Sequence, residues 1–395
     1  MKAVEPEEQA RLLAVLKKHK KRLLRYPGVH HVDVGYVYKR GRPTGTLGIR
    51  VHVRKKRPKS QLARREVLPK EIAGVTVDVL ETNPQPQLVN RTAKQNPLLA
   101  GVEIRNTRLS GAGTLGAIVF DRDTLEPMGL SNAHVLVKNS GQQGDVVNQP
   151  GTTRASDRVG QLNRWSKFYD CAVFRLDVPG LRPFTLKVAD VPNPETITGL
   201  TAALLGTRVM KSGRTTLTTV GIVDGVDNVF EFTVVPDPAN MPAGGQITDF
   251  GDSGAVWLEA NSHRAVGLNY AGERAGEPER AWAKYIGAVL DKLDVFFFDT
   301  AAVSRVYISW MASALGQTRP NAPCHLKITY PSGRVSTAKG LGAKTADARG
   351  WVRWHWRVGT DTRRRDPTTG LAEFRLDGRV VQVRFLPERM RVITP

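Results

Sequence analysis

Between about residue 99 and residue 298 the chain is cut by Gly, Asp or Asn roughly every ten residues, and the pieces between are short runs of β-formers. That spacing leaves little room for long helices. It confines the region to short strands joined by tight turns, as in a β-sandwich or in barrels. The 37 glycines and 24 prolines point the same way. One stretch breaks the pattern: in "AWAKYIGAVLDKLDVFF", Ile286, Val289, Leu290 and Leu293 predict a single closing amphipathic helix.

The ends read differently. Residues 6–24 predict a helix with Leu12, Leu13, Leu16, Leu23 and Leu24 on or near one face, and Lys17, Lys18, Lys20, Lys21 and Arg22 around the rest. A hairpin follows, with Val32, Val34, Tyr36 and Tyr38 in one arm and Leu47, Ile49, Val51 and Val53 in the other, joined by "KRGRPTGT". "GVTVDVLE" predicts a third strand. Residues 1–82 therefore predict a small α/β domain, and 83–98, with little apolar periodicity, a linker. In the tail, "GWVRWHWRVG" puts Val352, Trp354, Trp356 and Val358 on one strand face and Arg353, His355 and Arg357 on the other. The expectation for 300–395 is a β-sandwich of the immunoglobulin-like kind.

At 395 residues the chain has room for two or three domains, and 41% hydrophobic residues suffice for real cores. Its formal net charge of +21 is unevenly placed. Residues 1–82 hold 20 basic and 8 acidic side chains, 300–395 hold 17 and 6, and the middle holds 21 and 23. Basic flanks suit a solvated surface, nucleic acid, an anionic membrane face or an acidic protein. No apolar run reaches the length of a membrane-spanning helix. The first residues lack the pattern of a secretory signal, so a cytoplasmic location is expected. Cys171 and Cys324, far apart, are expected to be free thiols.

"GDSGAVW", residues 251–257, has two readings. Gly, Asp and Ser make an ordinary turn. They also suit a serine nucleophile around which glycines let backbone N–H groups crowd a reacting oxygen. A serine hydroxyl needs a base for its proton, and the base needs an acid to hold its tautomer. His134 in "LSNAHVLV" and Asp170 in "FYDCAVFRL" are the candidates, each equally readable alone as a structural residue. Asp170 follows His134 by 36 residues and Ser253 follows Asp170 by 83, one of the chain orders in which this triad occurs.

"SNAHVL", "YDCAVFRL" and "GDSGAVW" together resemble the three motif blocks of the chymotrypsin/trypsin-like serine peptidases, in their bacterial form. The likeness covers about 100–298; "SGAGTLGAIVFD", "KSGRTTLTTVGIV" and "AVGLNYAG" resemble further strands of that family, and 28–82 resemble the upstream segment of some bacterial members. The resemblance implies a mainly β chain with a double β-barrel over 99–299. It implies a serine endopeptidase acting on proteins or peptides, with Ser253 as nucleophile, His134 as base, Asp170 orienting the imidazole, and the backbone N–H groups of Gly251 and Ser253 as oxyanion hole. It puts Ile247 at the base of the substrate pocket, unless the loop aligns differently and Ile247 is core, and Asn269 and Gly272 along the pocket. The expected taste is then for an apolar or small uncharged residue. Two departures stand out. Ala255 replaces a frequent glycine, and no activation site appears near 98–112, so Asp252 needs a donor other than a freed N-terminal amine.

Other motifs carry less. "GAGTLG" fits a dinucleotide fingerprint, but a strand-like "AIVFD" follows it where a helix is required. No cofactor is implied. No H-E-x-x-H or C-x-x-C occurs, and His30 and His31, neighbours on a strand, are expected to point to opposite faces and to chelate poorly, so no metal is expected. The alternative to an active peptidase is an inactive peptidase-like scaffold, or a module binding nucleic acid or an acidic protein through its flanks.

Overall fold

The computed structural model describes residues 4–39, 42–82, 88–177, 182–227, 229–242, 245–273, 278–359 and 369–388. The chain divides into two compact units, Met1–Leu88 and Val89–Pro395.

In the first unit, α1 (Pro6–Leu23) starts on a proline, which suits a first turn whose N–H groups have no partner, and has Glu7 and Glu8 there and Lys20, Lys21 and Arg22 in its last turn. It lies on a sheet of β1 (Val29–Lys39), β2 (Arg42–Val53), β3 (Glu71–Ile72) and β4 (Val75–Glu81), in the order β1-β2-β4-β3. Leu12, Leu16 and Leu23 bury against Val32, Ile49, Val51, Ile72 and Val75. Leu13 and Leu24, expected on or near that face, are exposed. The hairpin strands run closer to the turn than "KRGRPTGT" suggests, because Tyr38 pairs with Pro43 and Lys39 with Arg42.

The second unit is mainly β. Its first part comprises β5 (Leu98–Ala100), β6 (Glu103–Asn106), β7 (Gly113–Thr114), β8 (Ala117–Asp121), β9 (Pro127–Ser131), α2 (Ala133–Leu136), β10 (Val146–Asn148), β11 (Arg158–Ser166), β12 (Cys171–Leu176) and β13 (Phe184–Val188). Its second part comprises β14 (Arg208–Gly213), β15 (Leu217–Val226), β16 (Glu231–Pro236), β17 (Val256–Glu259), β18 (Ala265–Gly272), β19 (Ala281–Tyr285), α3 (Ile286–Leu293) and β20 (Val295–Phe296). Strands β14-β15-β16-β19-β18-β17 form a closed barrel. The other large sheet runs β20-β8-β9-β12-β11-β10-β6-β7 and its ladder does not close among the described residues. Chain continuity brings its ends round instead, because only Leu115 and Gly116 separate β7 from β8. The expected pair of barrels is thus one closed barrel and one curled sheet.

The expected helix over 281–297 begins late. Ala281 and Ala283 bury alternately in β19 before Ile286, Val289, Leu290 and Leu293 bury in α3. Period two wins where the barrel needs its sixth strand.

Within the segment read as a linker, 89–98 belong to the second unit and are tied into it. The Val89 N–H donates to Asp190, and the buried Arg91 lies 3.0 Å from the same carboxylate. Residues 83–87 of that segment lie outside the described residues.

In the tail, β21 (Ala301–Val303), β23 (Met311–Gln317) and β26 (Trp351–Arg357) form one sheet. With β22 (Val306–Tyr307) between the first two in sequence, β24 (Pro323–Thr329), β25 (Gly342–Thr345), β27 (Gly370–Leu376) and β28 (Arg379–Phe385) form another, ordered β25-β24-β27-β28. The two share a core in which Trp354 and Trp356 are fully buried and Trp354 meets Phe374 edge to face at 5.8 Å. Trp351 turns the other way and packs on Phe120, Phe184 and Phe298, joining the tail to the curled sheet.

Gly116, at the bend from β7 to β8, decides how closely the two large sheets approach. A Cβ there would lie 2.0 Å from the Gly254 carbonyl oxygen. Backbone cannot yield as a side chain does, so Gly116→Ala is expected to cost about 1–3 kcal/mol, as overpacking does. A lowered denaturation midpoint with an unchanged m-value would bear this out.

Candidate active site

Three loops of the second unit converge. α2 is a single turn directly after β9, and its second residue is His134. Asp170 ends the turn before β12 with a left-handed φ of +45°. Its carboxylate is wholly engaged: Oδ1 accepts the His134 backbone N–H at 2.8 Å, and Oδ2 lies 2.6 Å from the His134 Nδ1. The buried Asn132 amide donates to the Asp170 carbonyl at 2.7 Å and holds that turn. This geometry orients the imidazole with Nε2 outward, and the His134 side chain is 45% exposed.

Ser253 lies between β16 and β17 in a loop stitched to the curled sheet. The Thr114 N–H donates to the Ser253 carbonyl at 2.8 Å, and the Thr114 hydroxyl donates to the Gly251 carbonyl at 2.7 Å. Gly113 fills the narrow gap between Ser253 and the residue after His134; a Cβ there would meet Val135 at 2.5 Å and the Ser253 carbonyl oxygen at 2.9 Å. Gly251 and Gly254 have φ of +99° and +97°, a region where a Cβ is strained. The Ser253 hydroxyl points to the Tyr270 carbonyl, 3.5 Å away; among the described residues no hydrogen bond joins it to His134.

The loop's N–H groups divide sharply. Those of Asp249, Phe250, Asp252, Gly254 and Ala255 all find acceptors within the protein. Among the described hydrogen bonds, those of Gly251 and Ser253 find none. Two donors one residue apart are thus left for something outside the chain.

Asp252 anchors this arrangement. It is fully buried and accepts from Lys211 Nζ (3.1 Å), the Thr216 hydroxyl (2.6 Å) and the N–H groups of Thr215, Thr216 and Asp249. Lys211 is equally buried, 5.8 Å from the Trp257 ring centre. Burial alone would raise the Asp252 carboxyl, but the Lys211 charge and these hydrogen bonds outweigh it and hold it below the ordinary range. Burial pulls the Lys211 amine down, with Asp252 opposing. The carboxylate, with five donor groups around it, is the more firmly charged partner. This pair answers the need for a donor that the sequence left open.

The pocket residues fare unevenly. Ile247 has no exposed surface and packs in the barrel core with Val209, Val223, Phe232 and Trp257. It does not line an open pocket, which removes the ground for an apolar P1 preference. Asn269 is buried too, joined to the Trp257 ring nitrogen and the Thr248 hydroxyl. A Cβ on Gly272 would meet Thr248 at 2.4 Å, so this glycine keeps two segments close. Glu279, passed over in the sequence, accepts the N–H groups of Ile247 and Thr248, and burial raises its carboxyl. Lys211 was also missed. Its signal was present: it follows Val209 by two on a strand, hence on the same inward face, where an amine needs a carboxylate. Both cysteines are free and buried, and burial pushes the Cys171 thiol, next to Asp170, up to about 12, which makes it no rival nucleophile.

No family model matches the chain, and no curated protein does. About half of the chain matches solved serine proteases, at low identity. Nocardiopsis protease shares 17% identity over 50% of this chain and 97% of its own, with a TM-score of 0.38. Cellulomonas bogoriensis chymotrypsin shares 17% over 51% and 98%, with a TM-score of 0.38. A glutamic-acid-specific serine protease shares 18% over 51% and 100%, with a TM-score of 0.39.

Replacing Lys211 by Met strands a buried carboxylate and is expected to cost about 3–5 kcal/mol; adding Asp252→Asn should recover part of it in a double-mutant cycle of denaturation curves. The sign with pH follows from a depressed folded-state value: the stabilisation from Asp252 is complete above the unfolded carboxyl's value near 3.9 and is lost as pH falls through the lower folded one. Acid denaturation of the wild type should therefore steepen below about pH 4, and Asp252→Asn should flatten that limb.

Proposed function

We propose that the chain is a serine endopeptidase that hydrolyses peptide bonds through an acyl-enzyme. The observation that carries this reading is the pair of unspent N–H groups on Gly251 and Ser253, flanking a serine whose loop abuts the His134–Asp170 pair. Water could satisfy both donors in an ordinary turn; what favours the peptidase reading is that they belong to the same loop as a serine hydroxyl and lie one residue apart.

In this reading Ser253 Oγ turns from the Tyr270 carbonyl toward His134 and attacks the scissile carbonyl. His134 Nε2 takes the proton, and Asp170 at Nδ1 holds the tautomer and stabilises the imidazolium. Negative charge grows on the substrate oxygen only in the transition state, so donors already aimed there lower the barrier selectively. His134 then protonates the leaving amine, and water enters by the same base to release the acid product. Apo hydrogen bonds at such sites are commonly long and tighten with substrate. The Lys211–Asp252 pair makes the loop constitutive, with no freed amine needed. The substrate is a protein or peptide, with no P1 class assigned.

A second reading rests on the exposed basic side of α1, where Lys17, Lys18, Lys20, Lys21 and Arg22 all face solvent. It makes the flanks a docking surface for nucleic acid or an acidic protein, with the core either active or an inert scaffold. Retention on an anionic polymer that weakens with salt would support it, and a flat salt response would end it.

A fluorophosphonate probe separates the readings. Wild type should be labelled at Ser253. Ser253→Ala should lose labelling wholly, and in peptide hydrolysis it should lose on the order of 10⁶ in kcat. His134→Ala should be strongly slowed. A folded wild type that resists the probe would make the core a scaffold.

A further inference from the structure

We propose that His31, Asp33 and His52 form a site for a first-row divalent transition metal ion, with Zn²⁺ as its representative, on the polar face of the N-terminal sheet. On a regular strand His30 and His31 would face opposite ways. The β1–β2 register, however, steps from Val29↔Val53 directly to His31↔His52, so β1 spends two residues against one. That bulge re-aims the local side chains. Both adjacent histidines now flank His52, with ring centres 6.2 Å (His30) and 5.2 Å (His31) away. Beyond the bulge Val32, Ile49 and Val51 take the core face, which leaves His31, Asp33, Arg50 and His52 together on the other.

The donor set fits such an ion. One ligand atom from each of His31, Asp33 and His52 lies within 4.8 Å of the others. His52 Nε2 is 3.3 Å from Asp33 Oδ1, and His31 Nε2 is 3.8 Å from Asp33 Oδ2. Tetrahedral Zn²⁺ with bonds of about 2.0–2.2 Å sets its ligand atoms about 3.3–3.5 Å apart, so only a small movement of the exposed His31 ring is required. The outer groups are also in place. His52 Nδ1 meets the Thr82 hydroxyl at 3.1 Å, which frees Nε2 for a metal, as outer hydrogen bonds do in histidine sites. His30 Nε2 is occupied with Thr82, 2.9 Å from its carbonyl oxygen and 3.2 Å from its hydroxyl, and is left out of the donor set.

Arg50 tempers the affinity. It grips Asp33 with Nε–Oδ1 at 2.8 Å and Nη2–Oδ2 at 2.6 Å, and the absence of a Cβ on Gly35, which would lie 2.4 Å from the guanidinium carbon, lets it lie there. Each carboxylate oxygen keeps a second lone pair, but the nearby positive charge opposes the ion. Binding is therefore micromolar rather than nanomolar. Two imidazoles favour Zn²⁺, Cu²⁺ or Ni²⁺ over Mg²⁺ or Ca²⁺.

Titrating the full chain with Zn²⁺ against a chromophoric chelator tests this. The expected result is one micromolar site that excess Mg²⁺ does not displace. It should be lost in His31→Ala, whose exposed side chain can be removed without disturbing the fold, and weakened at least about tenfold in His52→Ala or Asp33→Asn. His134→Ala should leave it unchanged. Zn²⁺ should also raise the melting temperature of wild type but not of His31→Ala. Absence of the site, its survival in both histidine variants, or its loss with His134→Ala would overturn the proposal.

Discussion

The buried ion pair between Lys211 and Asp252 is the constraint on which the second unit's 249–255 loop depends. Neither group has any exposed surface, and each would be prohibitively costly to bury alone. Together, and with the Thr215 and Thr216 donors, they pin the residue next to Ser253 into the barrel wall. With Asp252 held inward, its neighbours' N–H groups find acceptors within the protein, whereas among the described hydrogen bonds those of Gly251 and Ser253 find none.

The anchored loop is in turn tied to the curled sheet that carries His134. Thr114 and Gly113, in a two-residue strand of the curled sheet, carry the connection. Thr114 binds both Gly251 and Ser253, and Gly113 lets Val135 and Ser253 approach from opposite sides. Two glycines without positive φ, Gly113 and Gly116, thus do as much to assemble the site as the left-handed pair Gly251 and Gly254. Their role is close approach, which depends on space rather than backbone conformation.

Much of this was readable in the chain. The alternation at Trp354 and Trp356 and the apolar face of α3 are local signals, and each corresponds to burial in the fold; of the ordered His134, Asp170 and Ser253, the first two are hydrogen-bonded. Misreadings fell where pairing overrode local pattern. Ala281–Tyr285 carried the start of a helical stretch but supplies a barrel strand. Ile247 held a position that a pocket reading favoured, yet the closed barrel takes its side chain for the core. His30 and His31 obeyed strand alternation in the sequence, and a bulge set by the partner strand undid it.

The sequence by itself determined the kinds of groups present: a hydroxyl, an imidazole and carboxylates in a triad order, short strands and basic ends. Residue identity and spacing carry that information without reference to the rest of the chain. Which groups meet was decided only by the tertiary structure. Lys211 finds Asp252 across 41 residues, and Thr114 finds Ser253 across a far longer gap. Such contacts come from barrel closure and sheet curvature, which sum over every strand pairing and so have no signature in any single stretch.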